Sequence, residues 1–175
     1  MKTRLFAFCV GALIFFGCAQ KEIVFTQEKL CQAPIGSIML QNIIKKEGNA
    51  TISQNEFKDY LIQIINGTNC LEIVTEPKED TYALNATYNL KINNSVDEKI
   101  LSSKSTHTLN AQVTLSLSDN KQIRQEIGQS SIEVKDKEIL GIGGKDKISR
   151  EDEINAIKNS ILLAIKNFIS SLQAQ

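Results

Sequence analysis

The chain has 175 residues, with 20 Lys and Arg set against 20 Asp and Glu, one His, four Cys and no Trp. That length suffices for one domain with a real core, and that balance removes the electrostatic case for a nucleic-acid partner or a polybasic membrane patch. With a single His, acid–base and zinc constellations lack their commonest member, so a protein with no catalytic residues, no metal and no cofactor is expected.

Met1 to Arg4 is a short basic start, Leu5 to Phe16 is an uncharged apolar run of twelve, and Gly17-Cys18 follows. These are the n-region, h-region and small-residue cleavage site of an export signal. Phe15-Phe16-Gly17-Cys18 resembles the lipobox of bacterial lipoproteins, whose usual form is Leu, a small residue, Gly or Ala, then Cys; the two outer positions depart from it. Cys9 is no rival, because bulky Phe8 precedes it. The resemblance implies that residues 1–17 are a signal peptide and that Cys18 is the lipid attachment site. Ala19, where inner-membrane lipoproteins carry Asp, implies the outer membrane, facing the periplasm, with surface display as the other orientation. Each buried methylene of the lipid adds about 0.8 kcal/mol of membrane affinity. A secretory cut after Ala19 and a retained helix are the competing readings, the latter well short of the roughly 20 apolar residues a span needs.

Cleavage leaves 158 residues with 18 basic and 20 acidic side chains. Residues 18–33 are mixed and non-periodic and read as a lipidated tether, and Pro34 opens a single domain over 34–175. Cys31 and Cys70 remain as an even pair in an oxidising compartment. Each lies just before a predicted strand, and neighbouring strand starts satisfy the Cα separation of about 5–6 Å that a disulfide needs. Two buried free thiols are the alternative.

Ile35 to Ile44, rich in branched residues, predicts a first strand. Ser53 with Glu56 forms a capping box before Phe57, Tyr60, Leu61, Ile64 and Ile65 at helical spacing, with Asn66-Gly67 as the stop. Leu71 to Thr75 is a short strand. Tyr82 to Ile92 and Leu109 to Leu117 then alternate apolar with polar residues, the pattern of strands with one buried and one wet face. Residues 94–104 read as a polar loop between them, Asp119-Asn120-Lys121 as a turn, and Gln122 to Val134 as a weaker strand. Residues 136–148, with Gly141, Gly143 and Gly144, read as a flexible loop. Ser149 with Asp152 starts a last helix whose apolar face runs from Ile154 to Leu172. The expected fold is α+β: a single mixed sheet of about five strands, a βαβ start and then an antiparallel meander, with two helices on one face.

Candidate chemistry is sparse. His107 shares the phase of Leu109 and Ala111 and reads as a structural or surface histidine. Gly141-Ile142-Gly143-Gly144-Lys145 lacks the spacing and the hydroxyl of a phosphate loop. Glu151-Asp152-Glu153 suits a helix N-terminus.

The layout from Ile35 to Leu172 resembles the periplasmic domain shared by curli-secretion lipoproteins, penicillin-binding-protein activator lipoproteins and the TolB amino-terminal domain. The carrying features are the helix Glu56–Ile65, the short strand Leu71–Thr75, the alternating strands, the Gly141–Gly144 loop and the helix Ile154–Leu172. The resemblance implies a non-enzymatic, lipid-anchored adaptor that binds an envelope protein partner. A lipid or lipopolysaccharide accessory protein, with an apolar groove between helices and sheet, and a surface adhesin or antigen are the alternatives.

Overall fold

The computed structural model describes residues 25–48, 51–78, 81–99, 102–119, 122–139 and 147–173. The signal segment, Cys18 and Gly141–Gly144 lie outside the described residues. A strand Gly36–Lys45 (β1) leads to a helix Gln54–Thr68 (α1) and a short strand Leu71–Ile73 (β2). Three long strands follow, Thr81–Lys99 (β3), Ser102–Ser118 (β4) and Ile123–Ile139 (β5), then a helix Arg150–Gln173 (α2). They build one five-stranded sheet in the order β2-β1-β3-β4-β5. β1 is parallel to both β2 and β3, whereas β3, β4 and β5 pair antiparallel. The α+β fold expected from the order of elements is the fold observed.

Period-two alternation sets the layers. Leu84, Ala86, Tyr88 and Leu90 of β3 and the odd-numbered residues Leu109 to Leu117 of β4 are buried on one side of the sheet. Both helices cover that side. Phe57 of α1 stacks on Tyr88 with ring centroids 4.2 Å apart. Phe168 of α2 meets Tyr82 edge-on at 5.4 Å. Burying a phenol leaves its hydroxyl in need of a partner, and Tyr88 donates to the Ile52 carbonyl at 3.1 Å. Burial, with Glu56 nearby, pushes the Tyr88 phenol up to about 12.

The helix starts follow their local chemistry. Ser53 caps α1, its hydroxyl accepting from the Glu56 N–H while the Glu56 carboxylate accepts from the Ser53 N–H at 2.8 Å. Ser149 and Asp152 repeat the arrangement at α2. The end of α1 differs from expectation. Asn66-Gly67 does not stop it; the helix runs to Thr68 and closes on Asn69 in the left-handed region, φ 57°. Asn tolerates that conformation, and its side-chain amide is held by the carbonyls of Cys31 and Gln32.

Residues expected as a polar loop over 94–104 belong instead to the β3–β4 hairpin. The β3–β4 ladder continues through Asn94↔His107 to Lys99↔Ser102, and β5 follows to Ile139, five residues beyond the expected end. Apolar alternation stops near Ile92 because the sheet there extends past the helices, leaving Asn94 and Val96 exposed. Strands wet on both faces keep their ladder hydrogen bonds but carry no period-two signal.

The segment ahead of β1 also makes contacts that its composition does not advertise. Residues 25–33, read as part of a tether, are docked. Phe25, Leu30 and Cys31 pack against the core, Leu30 and Cys31 donate their N–H groups to the Thr68 carbonyl, and Glu28 pairs with Lys166 of α2 at 2.6 Å. Cys31 and Cys70 stand at disulfide distance, Sγ to Sγ 2.02 Å and Cα to Cα 5.0 Å.

Candidate functional site

Three places concentrate polar chemistry: the N-termini of the two helices, the far end of the β3–β4 hairpin and the uncovered face of the sheet.

At the helix N-termini, Arg150 bonds Thr51 Oγ1 and the Glu56 carboxylate and lies 3.8 Å from Glu153. The buried Glu153 carboxylate accepts from the Thr51 N–H at 3.1 Å and the Thr51 hydroxyl at 2.7 Å. Each carboxylate is engaged by donors of its own chain, so the cluster clamps the start of α2 to the start of α1. In the sequence Glu151–Glu153 reads only as a partner of the helix dipole, and the clamp is not legible because Thr51 and Glu153 are 102 residues apart.

The Glu56 carboxyl is lowered to about 2, chiefly by the Ser53 N–H, then by the Ser53 hydroxyl and Arg150. A depressed carboxylate stabilises the fold fully above its unfolded value of 4.5 and loses that contribution as pH falls toward 2. Glu56→Gln keeps the capping box and removes the charge. Its melting temperature is therefore expected to fall less steeply than the wild type's between pH 5 and pH 2, as thermal melts across that window would show.

His107 is half-buried on the extended end of the sheet, its Nδ1 2.7 Å from the Asn94 side-chain oxygen across the β3–β4 pair. Its cross-strand neighbours are Asn94 and Val134, so no carboxylate faces it directly. Among the described residues no three His, Cys, Asp or Glu side chains form a metal-binding group. No described helix is long and apolar enough to cross a membrane.

The face opposite the helices carries an organised polar array. Asn85, Thr87, Asn89 and Lys91 of β3 lie beside Ser116, Thr114, Gln112 and Asn110 of β4, with Gln129 and Ser131 beyond on β5. Backbone pairing fixes the spacing of these side chains, so amides and hydroxyls are held at strand separation, about 4.7–4.9 Å. A shallow concavity of about 430 Å³ at its centre is lined by Asn89, Lys91, Asn110, Gln112, Gln129 and Ser131 among others. The Asn89 side-chain oxygen is buried without a hydrogen-bond partner among the described residues. It lies beside Gly48, where an added Cβ would come within 2.8 Å of it and 2.3 Å of the Leu90 carbonyl oxygen. Alternation marks this face on β3 and β4 in the sequence; the concavity is not legible there, since it depends on which strands come to lie side by side. A second, open groove of about 670 Å³ lies between α1 and the edge of β1, lined by Leu40, Ile43, Lys58, Ile62, Ile73 and Val74 among others.

No family model matches the chain, and no curated protein matches it. It is similar to a solved structure. A Helicobacter pylori protein described as a neuraminyllactose-binding hemagglutinin homolog shares 12% identity, over 86% of this chain and 93% of that one, at a TM-score of 0.53. A hypothetical protein from Chlamydia trachomatis aligns over 79% of this chain and 94% of its own, at 11% identity and a TM-score of 0.26. The first likeness shows the fold alone.

The centre of the space between helices and sheet is filled by Phe57, Tyr88, Phe168 and Leu109, each at most 1% exposed, while the partly apolar groove beside α1 opens at its margin. Of the three polar places, the sheet face is the one whose side chains point to solvent as an array.

Proposed function

We propose that this protein is a non-enzymatic, lipid-anchored envelope lipoprotein, a protein-binding adaptor at the outer membrane that recognises its partner through the polar face of the sheet. The observation that carries this reading is the uncovered array around Gln112 and Asn110, with rigidly spaced donors and acceptors and no covering layer of the described chain. Rigid strands hold these groups without the ordering cost that loops would incur on binding. The lipobox-like Phe15–Cys18 supports the anchor, and the likeness of residues 35–172 to the curli-secretion, penicillin-binding-protein activator and TolB group supports a role in envelope assembly.

Crosslinking in intact cells followed by purification tests it. The wild type is expected to retain an envelope protein that Gln112→Arg and Thr114→Arg both lose while keeping the wild-type melting temperature. Equal recovery by all three would remove the polar face from the proposal.

A second reading, an adhesin offering the same face to a glycan, is favoured by the amide and hydroxyl lining of the concavity. The Helicobacter protein's description as a hemagglutinin homolog prompts it as well. Glycan binding by the purified protein that Gln112→Arg abolishes would decide for that reading.

A further inference from the structure

The docked segment ahead of β1 limits how the domain can sit on a membrane. Gln27 reaches the Ile64 carbonyl of α1 at 3.5 Å, and Glu28 pairs with Lys166 of α2 at 2.6 Å. Lys158 of α2 lies over both the Phe25 ring, at 5.4 Å, and the Tyr60 ring of α1, at 4.9 Å. The segment therefore touches both helices. It does so from outside, because Gln27 and Glu28 are exposed while the centre of the space between helices and sheet is filled by the core. Its far end is held at Cys31 by Cys70, so the segment cannot slide to lengthen the chain ahead of it.

From these contacts we infer that the outer surface of the α1–α2 layer faces the lipid bilayer and the polar face of the sheet points away from it. The inference rests on the reading of Cys18 as the lipid attachment. Seven residue steps separate Cys18 from Phe25. Fully extended, they reach at most ~25 Å. To lay the polar face on the bilayer, that chain must pass through the thickness of a helix layer and a sheet, ~20 Å, and also around the sheet edge, roughly another 10 Å. Led around the edge, the chain would use the whole of that reach or more, whereas an outward-facing helix layer needs only a fraction of it. The bilayer so takes the helix side, and the array around Gln112 is presented to whatever lies beyond.

Energy transfer to the membrane surface tests this. A fluorescent non-canonical residue is placed at Gln63, exposed on α1, or at Thr114, on the polar face, leaving every cysteine in place. The full chain is expressed, the lipidated protein is purified from membranes, and it is reconstituted in phosphatidylcholine vesicles carrying headgroup acceptors. Transfer from Gln63 is expected to be several-fold stronger than from Thr114. A flexible Gly/Ser insertion of ~15 residues after Val24 is expected to erase the difference by lengthening the leash. Intact mass separates the two levels of failure. An unmodified Cys18 overturns the anchor reading and the orientation with it. A lipidated Cys18 with transfer from Thr114 equal to or above that from Gln63 overturns the orientation alone, and a bias that survives the insertion overturns the leash as its cause.

Discussion

Gly128→Val is expected to lower stability by about 3 kcal/mol or more, the upper end of what overpacking a core costs. Gly128 sits on β5 opposite Val113, on the side that α2 covers. An added Cβ would lie 1.9 Å from the Ser160 carbonyl oxygen and 2.7 Å from the Ala164 nitrogen. Both are main-chain atoms of a helix, so no rotamer change relieves the clash, and α2 must move off the sheet. Ser160 also donates to the Ala111 carbonyl of β4 at 3.2 Å, a buried bond that such a shift would break. Against a typical total of 5–15 kcal/mol this is a large fraction. Urea unfolding of the variant beside Ser131→Ala, a change on the exposed face expected to stay within about 0.5 kcal/mol, gives the comparison. A loss under about 1 kcal/mol for Gly128→Val would mean that α2 does not approach β5 so closely.

The second large effect belongs to the cysteine pair. Cys31 and Cys70 are separated by 39 positions. On the chain-entropy account, closing a loop of that length destabilises the unfolded chain by about 4 kcal/mol. Cys31→Ser with Cys70→Ser is expected to lose an amount of that order and to free residues 25–31, since the remaining ties there are a few partly exposed contacts. Urea unfolding, with proteolysis monitored at Lys29, reads both. A double variant as stable as the wild type, with Lys29 equally protected, would contradict the account of a pinned segment.

Where the sequence carries a periodic signal, it predicts this fold well. The alternation of Tyr82–Ile92 and Leu109–Leu117 marks the core face, and Ser53 with Glu56 marks the start of α1, because each rests on neighbours in the chain. The failures share a cause. Residues 94–104 look like a loop because strands projecting past their helices have no buried side to advertise. Residues 25–33 look like a tether because their partners, Thr68, Lys158 and Lys166, lie far along the chain. The Thr51–Glu153 clamp is hidden for the same reason. At the candidate site, sequence pattern identifies Asn89, Lys91, Asn110 and Gln112 as wet, but not that Gln129 and Ser131 of the weaker strand join them in one concavity.

The docked segment sharpens the functional proposal. On the proposed anchor at Cys18, a loose leash would let any surface meet a membrane, whereas a docked one would give the two faces different neighbours. The polar array then becomes the surface available to a soluble or opposing partner.

The most direct test is a photocrosslinking residue placed singly at Gln112 on the polar face or at Gln63 on α1, followed in living cells. A discrete crosslinked envelope protein from Gln112 and none from Gln63 is the predicted result. A partner captured from Gln63, with nothing from Gln112, would contradict recognition through the polar face.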